Sequence, residues 1–214
     1  MIKKLVNKLI DIDLVKKLVE LKRPNFIILY YHRVIEDNNF DLDMGPNIHL
    51  CVKKSEFEKQ MSYIAKNYNL ISLEDLYKNN FKCKQFSVAV TFDDGYKDNI
   101  EVAYPILKKN NIPATIYLVS RNIIAKPWAW WIELWNFIKK NEKIINGDKT
   151  IDIKKSYDKR KCFFDLKEKI KKLEYDDQIN FFNTLTLNKV RENHENLYLN
   201  IEDLKKIEKE KLIT

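Results

Sequence analysis

The chain has 214 residues, 45% of them hydrophobic and 33% charged. That is the mix of a globular domain with one sizeable core, and it excludes a collagen-like, low-complexity or disordered chain. The formal net charge of +8 comes from lysines spread along the chain among Glu and Asp, so it describes a solvated basic surface and no nucleic-acid partner.

Residues 1–24 form a first segment. Leu5, Leu9, Ile10, Leu14, Leu18 and Leu21 recur near helical spacing with lysines between them. This reads as an amphipathic helix or helix pair that packs on its own domain, with membrane association as the minority reading. Asp11, Asp13 and Glu20 break any long apolar run, so no signal peptide or membrane span is visible. The expected location is cytoplasmic, with envelope association as the alternative. Cys51, Cys83 and Cys162 are odd in number and lack zinc or redox spacing. They read as free thiols in a reducing compartment.

Pro24 closes the first segment, and Phe26–Tyr31 reads as a buried strand. Residues 36–50, with Gly45-Pro46, read as a long polar loop. Ser55 and Glu58 have capping-box spacing, ahead of a helix with Phe57, Met61 and Ile64 on one face. Leu70–Ile71 is a short strand, and Ser72 with Asp75 marks another helix start.

Phe86–Phe92 is the central strand, and the chain is organised around its end. The apolar run Val88-Ala89-Val90-Thr91-Phe92 stops at Asp93-Asp94-Gly95-Tyr96. Such a run, short and valine-rich, reads as a strand buried on both faces. Alternation sends Asp93 and Asp94 to opposite sides, so they differ in role. Gly95 permits a tight turn. The carboxyl ends of parallel strands are where α/β folds place their chemistry. The plainer reading is a turn and a helix cap. The strand leading straight into the pair favours function.

The next helix places Ile100, Ala103, Tyr104 and Leu107 inward, with Pro105 near its start and Asn110-Asn111 at its end. Ala114–Val119 is the following strand, and strand–helix–strand order implies parallel pairing. Trp128, Trp130, Trp131 and Trp135 follow. Dense aromatics can stack on sugars, but a shared helical face reads first as packing. Residues 128–200 read as a helical insertion, with Phe163, Leu166 and Ile170 on one face and Asp176-Asp177 opening a second helix. Asn200 and Asp203 cap the last helix, and Leu212-Ile213-Thr214 leads into another strand. His49 and His194 sit among polar residues and read as surface.

Thr91-Phe92-Asp93-Asp94-Gly95 resembles the first motif of the polysaccharide deacetylases, the carbohydrate esterases with a chitooligosaccharide-deacetylase-like (NodB homology) domain. Tyr30-Tyr31-His32-Arg33-Val34, Ile71-Ser72-Leu73-Glu74-Asp75-Leu76 and Ile112-Pro113-Ala114-Thr115-Ile116-Tyr117 resemble its flanks. The resemblance implies an α/β fold, a partial, deformed (β/α) barrel, with residues 25–214 its N-terminal part. It implies a metal-dependent hydrolase that removes acetyl groups from N- or O-acetylated polysaccharide or oligosaccharide, with Asp93 as general base and Asp94 as ligand to a divalent metal, Zn²⁺ first. His32 and Tyr96 are candidate site contacts.

The family's second motif, Ser-His-Thr-x-x-His, supplies two more metal ligands and does not occur in this sequence, whose histidines are His32, His49 and His194. The expectation is a chain cut before that motif and inactive as given. Two other readings compete with it. One is a non-catalytic carbohydrate- or partner-binding remnant. The other is an aspartate-based phosphohydrolase, disfavoured because its paired acids are usually two residues apart, on one side of the strand.

Overall fold

The computed structural model describes residues 25–40, 45–147, 149–186 and 194–214. The segment 1–24 that reads as amphipathic lies outside them. The elements that position the site are β1 (Phe26–Tyr31), β2 (Arg33–Ile35), β3 (Cys51–Lys53), α1 (Lys54–Asn67), β4 (Asn69–Leu70), α2 (Leu73–Lys78), β5 (Ser87–Phe92), α3 (Tyr104–Lys109) and β6 (Ala114–Ile116).

β5 is the centre of a four-stranded parallel sheet, and all six of its residues are buried. β1 pairs with it along its whole length, from Phe26 opposite Ser87 to Tyr31 opposite Phe92. β4 and β6 share the other edge. The Val88 carbonyl accepts from Ile71 N–H, and the Phe92 carbonyl accepts from Tyr117 N–H. Carbonyls four residues apart on a strand face the same edge, so β4 covers the start of β5 and β6 covers its end. Residues 212–214 continue the sheet beyond β6. Ala114 N–H donates to the Leu212 carbonyl at 2.8 Å and Thr214 N–H to the Ala114 carbonyl at 3.0 Å. The expected parallel α/β arrangement of a partial barrel is present. β2 and β3 add a small parallel sheet of their own on either side of the loop expected over residues 36–50; the sequence reading did not assign it.

The core lies between this sheet and the helices α1 and α3. Phe57 and Met61 of α1 meet Val88, Val90 and Phe92 of β5 and Leu107 of α3. β1 is only half buried, against the expectation of a fully buried strand. Its face toward the core carries Leu29 and Tyr31, while Ile28 and Tyr30 stay exposed. The cause is position: among the described residues β1 pairs with β5 alone.

Local signals met mixed outcomes. Ser72 caps α2 by accepting from Asp75 N–H at 3.0 Å. Asn111, at φ 53°, ends α3 in the left-handed conformation. The Ser55–Glu58 capping box does not form. Asp37, from the preceding loop, accepts from both the Ser55 N–H and its hydroxyl instead, and Glu58 pairs with Lys109.

The rest of the chain carries α4 (Ser120–Ile124), α5 (Trp130–Lys140), β7 (Lys143–Asn146), β8 (Lys149–Asp152), α6 (Ser156–Ile170), α7 (Tyr175–Thr186) and α8 (Ile201–Ile207). The insertion is not wholly helical. β7 and β8 make an antiparallel hairpin with Ile144 opposite Ile151. A second core holds Leu134, Trp135, Ile138, Phe163, Leu166 and Phe182, and the tryptophans pack on it or around it. The Asn200–Asp203 capping box opens α8 as expected. No helix among the described residues is long and apolar enough to cross a membrane.

Candidate active site at the carboxyl end of β5

Parallel register puts the site together. Tyr31 and Phe92 are partners at the ends of β1 and β5, so His32 and Asp93 leave their strands at the same level. Asp93 N–H donates to the Tyr31 carbonyl at 2.9 Å. The His32 ring reaches toward Asp93, with Nε2 4.0 Å from Oδ2. The Asp93 side chain is 38% exposed and His32 19%, so the carboxylate opens to solvent with the ring behind it.

Asp94 sits differently. Its φ is 71° and that of Gly95 is 64°, so two successive left-handed residues turn the chain away from the strand. Burial pushes the Asp94 carboxyl above the usual carboxylate range; His32 opposes the rise, Asp93 adds to it and a hydrogen bond with Tyr96 opposes it. The two carboxylates therefore occupy different environments, and it is the left-handed turn at Asp94, beyond the end of β5, that separates them.

Tyr96 is buried, and its ring stacks on Tyr198 at 5.1 Å between centroids. The backbones join at the same place: Lys97 N–H donates to the Leu197 carbonyl and Leu199 N–H to the Gly95 carbonyl. The Arg33 guanidinium lies 5.1 Å over the Tyr96 ring and pairs with Asp98 at 2.8 Å. Asp98 also accepts from Val34 N–H. Buried Asn99 donates to the His32 carbonyl at 2.8 Å, fixing the backbone that carries the ring.

Tyr198, Asp98 and Asn99 had not been singled out from sequence. Asp98 and Asn99 lie just after the motif, where an acidic and an amide residue opposite Arg33 gave a weak signal. Nothing in the spacing of Tyr198 pointed to the site. His194 differs from its surface reading: it is buried, with Nδ1 3.6 Å from Glu133 Oε1. His49 is exposed as expected. The three cysteines are free.

A divalent metal is the group the resemblance implies. Among the described residues, no three His, Cys, Asp or Glu side chains gather where they could hold one. His32 approaches Asp93, and Asp94 meets Tyr96. This set does not fit a catalytic zinc, which usually takes three protein ligands and an open position.

Residues 81–176 match the family model described as polysaccharide deacetylase. The chain is 34% identical over 100 residues to YxkH of Bacillus subtilis, named for the polysaccharide deacetylases, covering 45% of this chain and 32% of that protein. It is 33% identical over 122 residues to the poly-beta-1,6-N-acetyl-D-glucosamine N-deacetylase of Staphylococcus aureus, covering 53% of this chain and 42% of that enzyme. A solved de-N-acetylase from Aggregatibacter actinomycetemcomitans overlays with a TM-score of 0.45 at 16% identity, covering 88% of this chain and 52% of that one. The chain thus spans less than half the length of the curated relatives it matches. The matched segment, which is similar to the polysaccharide deacetylase family, holds Asp93, Asp94 and the strand that presents them.

Proposed function

We propose that this protein takes part in hydrolytic removal of acetyl groups from N- or O-acetylated polysaccharide, acting on the carbon–nitrogen bond in the N-acetyl case. The observation that carries the reading is the divergent carboxylate pair on the rim of β5. Asp93 is solvent-open beside His32 and suits a general base; Asp94 is half-buried and suits a held, non-reacting role.

In this reading a water molecule attacks the acetyl carbonyl while an Asp93 oxygen takes its proton; the tetrahedral adduct then collapses with cleavage of the C–N bond (C–O in the O-acetyl case), and that proton passes from Asp93 to the leaving nitrogen or oxygen, releasing acetate. Such a base contributes about 10²- to 10⁴-fold. His32 limits where the Asp93 carboxylate can point, and Tyr96 does the same for Asp94. Similarity to the polysaccharide deacetylases favours a divalent metal, with Asp94 as a ligand. The donors among the described residues do not complete its shell. We therefore propose weak metal binding and little turnover by this chain alone.

The test is acetate release from acetylated chitooligosaccharide and peptidoglycan fragments with added Zn²⁺ or Co²⁺. It is run on the chain, and on a longer version supplied with two further histidine ligands. The longer version should turn over, and Asp93→Asn should cost it at least about 100-fold while leaving metal affinity intact. Asp94→Asn should weaken the metal instead. Full activity in the Asp93→Asn variant would overturn the reading. The incomplete donor set favours one alternative, a carbohydrate-binding protein without turnover. It predicts sugar binding with no acetate release from either version.

A further inference from the structure

The amino end of the sheet, opposite the acidic rim, carries an exposed aromatic face. Tyr63 and Tyr68 come from the end of α1, Tyr77 and Phe81 from α2 and the turn after it, and Phe86 from the approach to β5. All five are exposed, Tyr77 to 70%. They touch in two groups: Tyr68 meets Tyr63 and Phe86, and Phe81 meets Tyr77 and Phe26 of β1. Asn80 and Phe81 are left-handed, at φ 52° and 57°, which is rare for a phenylalanine. Large rings exposed singly are ordinary, whereas a contiguous group marks a surface that something covers.

A cavity of about 450 Å³ lies alongside, lined by sequence neighbours of both groups, among them Asn69, Asn79, Lys82, Cys83 and Lys84. No carboxylate is among the lining residues. Two ammonium groups therefore share one recess with no opposite charge in it.

Such a face fits an apolar stripe edged with carboxylates. Residues 1–24, outside the described residues, supply one: Leu5, Leu9, Leu14 and Leu18 recur near helical spacing, with Asp11, Asp13 and Glu20 among the lysines. The chain also enters the described residues at this place. Asn25 donates through Nδ2 to the Cys83 carbonyl at 3.3 Å, and its own carbonyl accepts from Ser87 N–H at 2.9 Å. The next residue, Phe26, is the one that meets Phe81. With so short a tether, docking is intramolecular, at an effective concentration on the order of millimolar. A second copy fits less well, because two such faces would bring like-charged recesses together.

We propose that residues 2–21 of this chain dock on the aromatic face, leucines on its rings and carboxylates toward Lys82 and Lys84, and so close the amino end of the sheet. An amphipathic stretch of this length takes most of its stability from the face it packs on. The proposal does not depend on the deacetylase reading, since Asp93 lies at the other end of β5.

Cys83 is a native reporter of this cover, because its thiol is free and only partly buried by the described residues. The test is its rate of alkylation by N-ethylmaleimide in the full chain, followed by mass spectrometry as a ratio to Cys51. Leu9→Asp/Leu14→Asp should raise that ratio at least about tenfold, by releasing the segment. Tyr77→Asn/Phe81→Asn acts from the other side. It removes exposed rings without adding charge, asparagine tolerates the left-handed position, and the ratio should rise by a similar factor. The wild-type protection should be the same at low and high protein concentration and without lipid. Equal ratios in the three proteins, or a rise in only one variant, would overturn the proposal. So would protection that grows with protein concentration, which assigns the face to a second copy, or protection that appears only with phosphatidylglycerol vesicles, which assigns it to a membrane.

Discussion

Tyr96 and Tyr198 stack with their rings 21° from parallel, and both are buried. This pair ties the acidic turn to the chain returning from the insertion. The Tyr198 hydroxyl is buried, with Tyr96 as its hydrogen-bonding neighbour. Tyr198→Ala should therefore cost about 3 kcal/mol or more through the cavity it leaves. Tyr198→Phe should stay within about 1.5 kcal/mol of wild type, because it keeps the stacked ring and loses only the hydroxyl's hydrogen bond with Tyr96. Urea midpoints at unchanged m give both values. A Phe variant as damaged as the Ala variant would show that the hydroxyl is the part that matters.

The Arg33–Asp98 pair is largely buried, with side chains 20% and 12% exposed. Burial pushes the Asp98 carboxyl upward, and Arg33 only partly offsets it. The pair is thus a weak net stabiliser but costly to break. Asp98→Ala should lose about 3 kcal/mol by stranding the guanidinium and the Val34 N–H. An Arg33→Met/Asp98→Leu double variant should recover most of that loss. Additive losses in the double variant would contradict this balance.

Gly95 needs its missing side chain twice over. It sits at φ 64°, and a Cβ there would come 2.8 Å from Leu118 Cδ2. Gly95→Ala should cost about 1–2 kcal/mol from the left-handed backbone alone. Leu118, largely exposed, can swing aside. A Gly95→Ala/Leu118→Ala double variant should therefore be no more stable than Gly95→Ala by more than a few tenths of that, and thermal melts decide it.

Tyr31 gives the pH prediction. It donates to Gln60 Oε1 at 2.8 Å and its ring meets Phe57 edge-on. Burial pushes its hydroxyl up to about 12, above the roughly 10 of an exposed tyrosine. A raised value means that the folded state holds the proton more tightly. Its contribution is whole below pH about 10 and is lost as pH rises through about 12. Tyr31→Phe should flatten that part of the stability profile and leave neutral pH little changed. An identical alkaline slope in the variant would exclude Tyr31 as its source.

Legibility followed the range of the physical signal. β1, β5 and the Asp93-Asp94-Gly95 turn could be read because each is a local pattern ending at a sharp chemical change. The parallel order followed from strand–helix–strand alternation. The short β2–β3 sheet was missed because three-residue strands carry too little periodicity. The β7–β8 hairpin did carry a signal, Ile144 and Ile151 flanking Gly147, but the lysine-rich helical pattern around it outweighed it. The stack of Tyr198 on Tyr96 depends on how the insertion lies against the sheet. No local pattern encodes that.

The two backbone hydrogen bonds between residues 95–97 and 197–199 have a kinetic consequence. They close a loop of about a hundred residues, and the entropy of that closure must be met before the bonds return anything. The strands β1, β4, β5 and β6 are much nearer one another in sequence and should pair first. The clasp should then form on the native side of the folding barrier. Weakening it, as in Tyr198→Ala, should speed unfolding while leaving the folding rate almost unchanged. The acidic turn would then be the last part of the rim to reach its final geometry and the first to lose it.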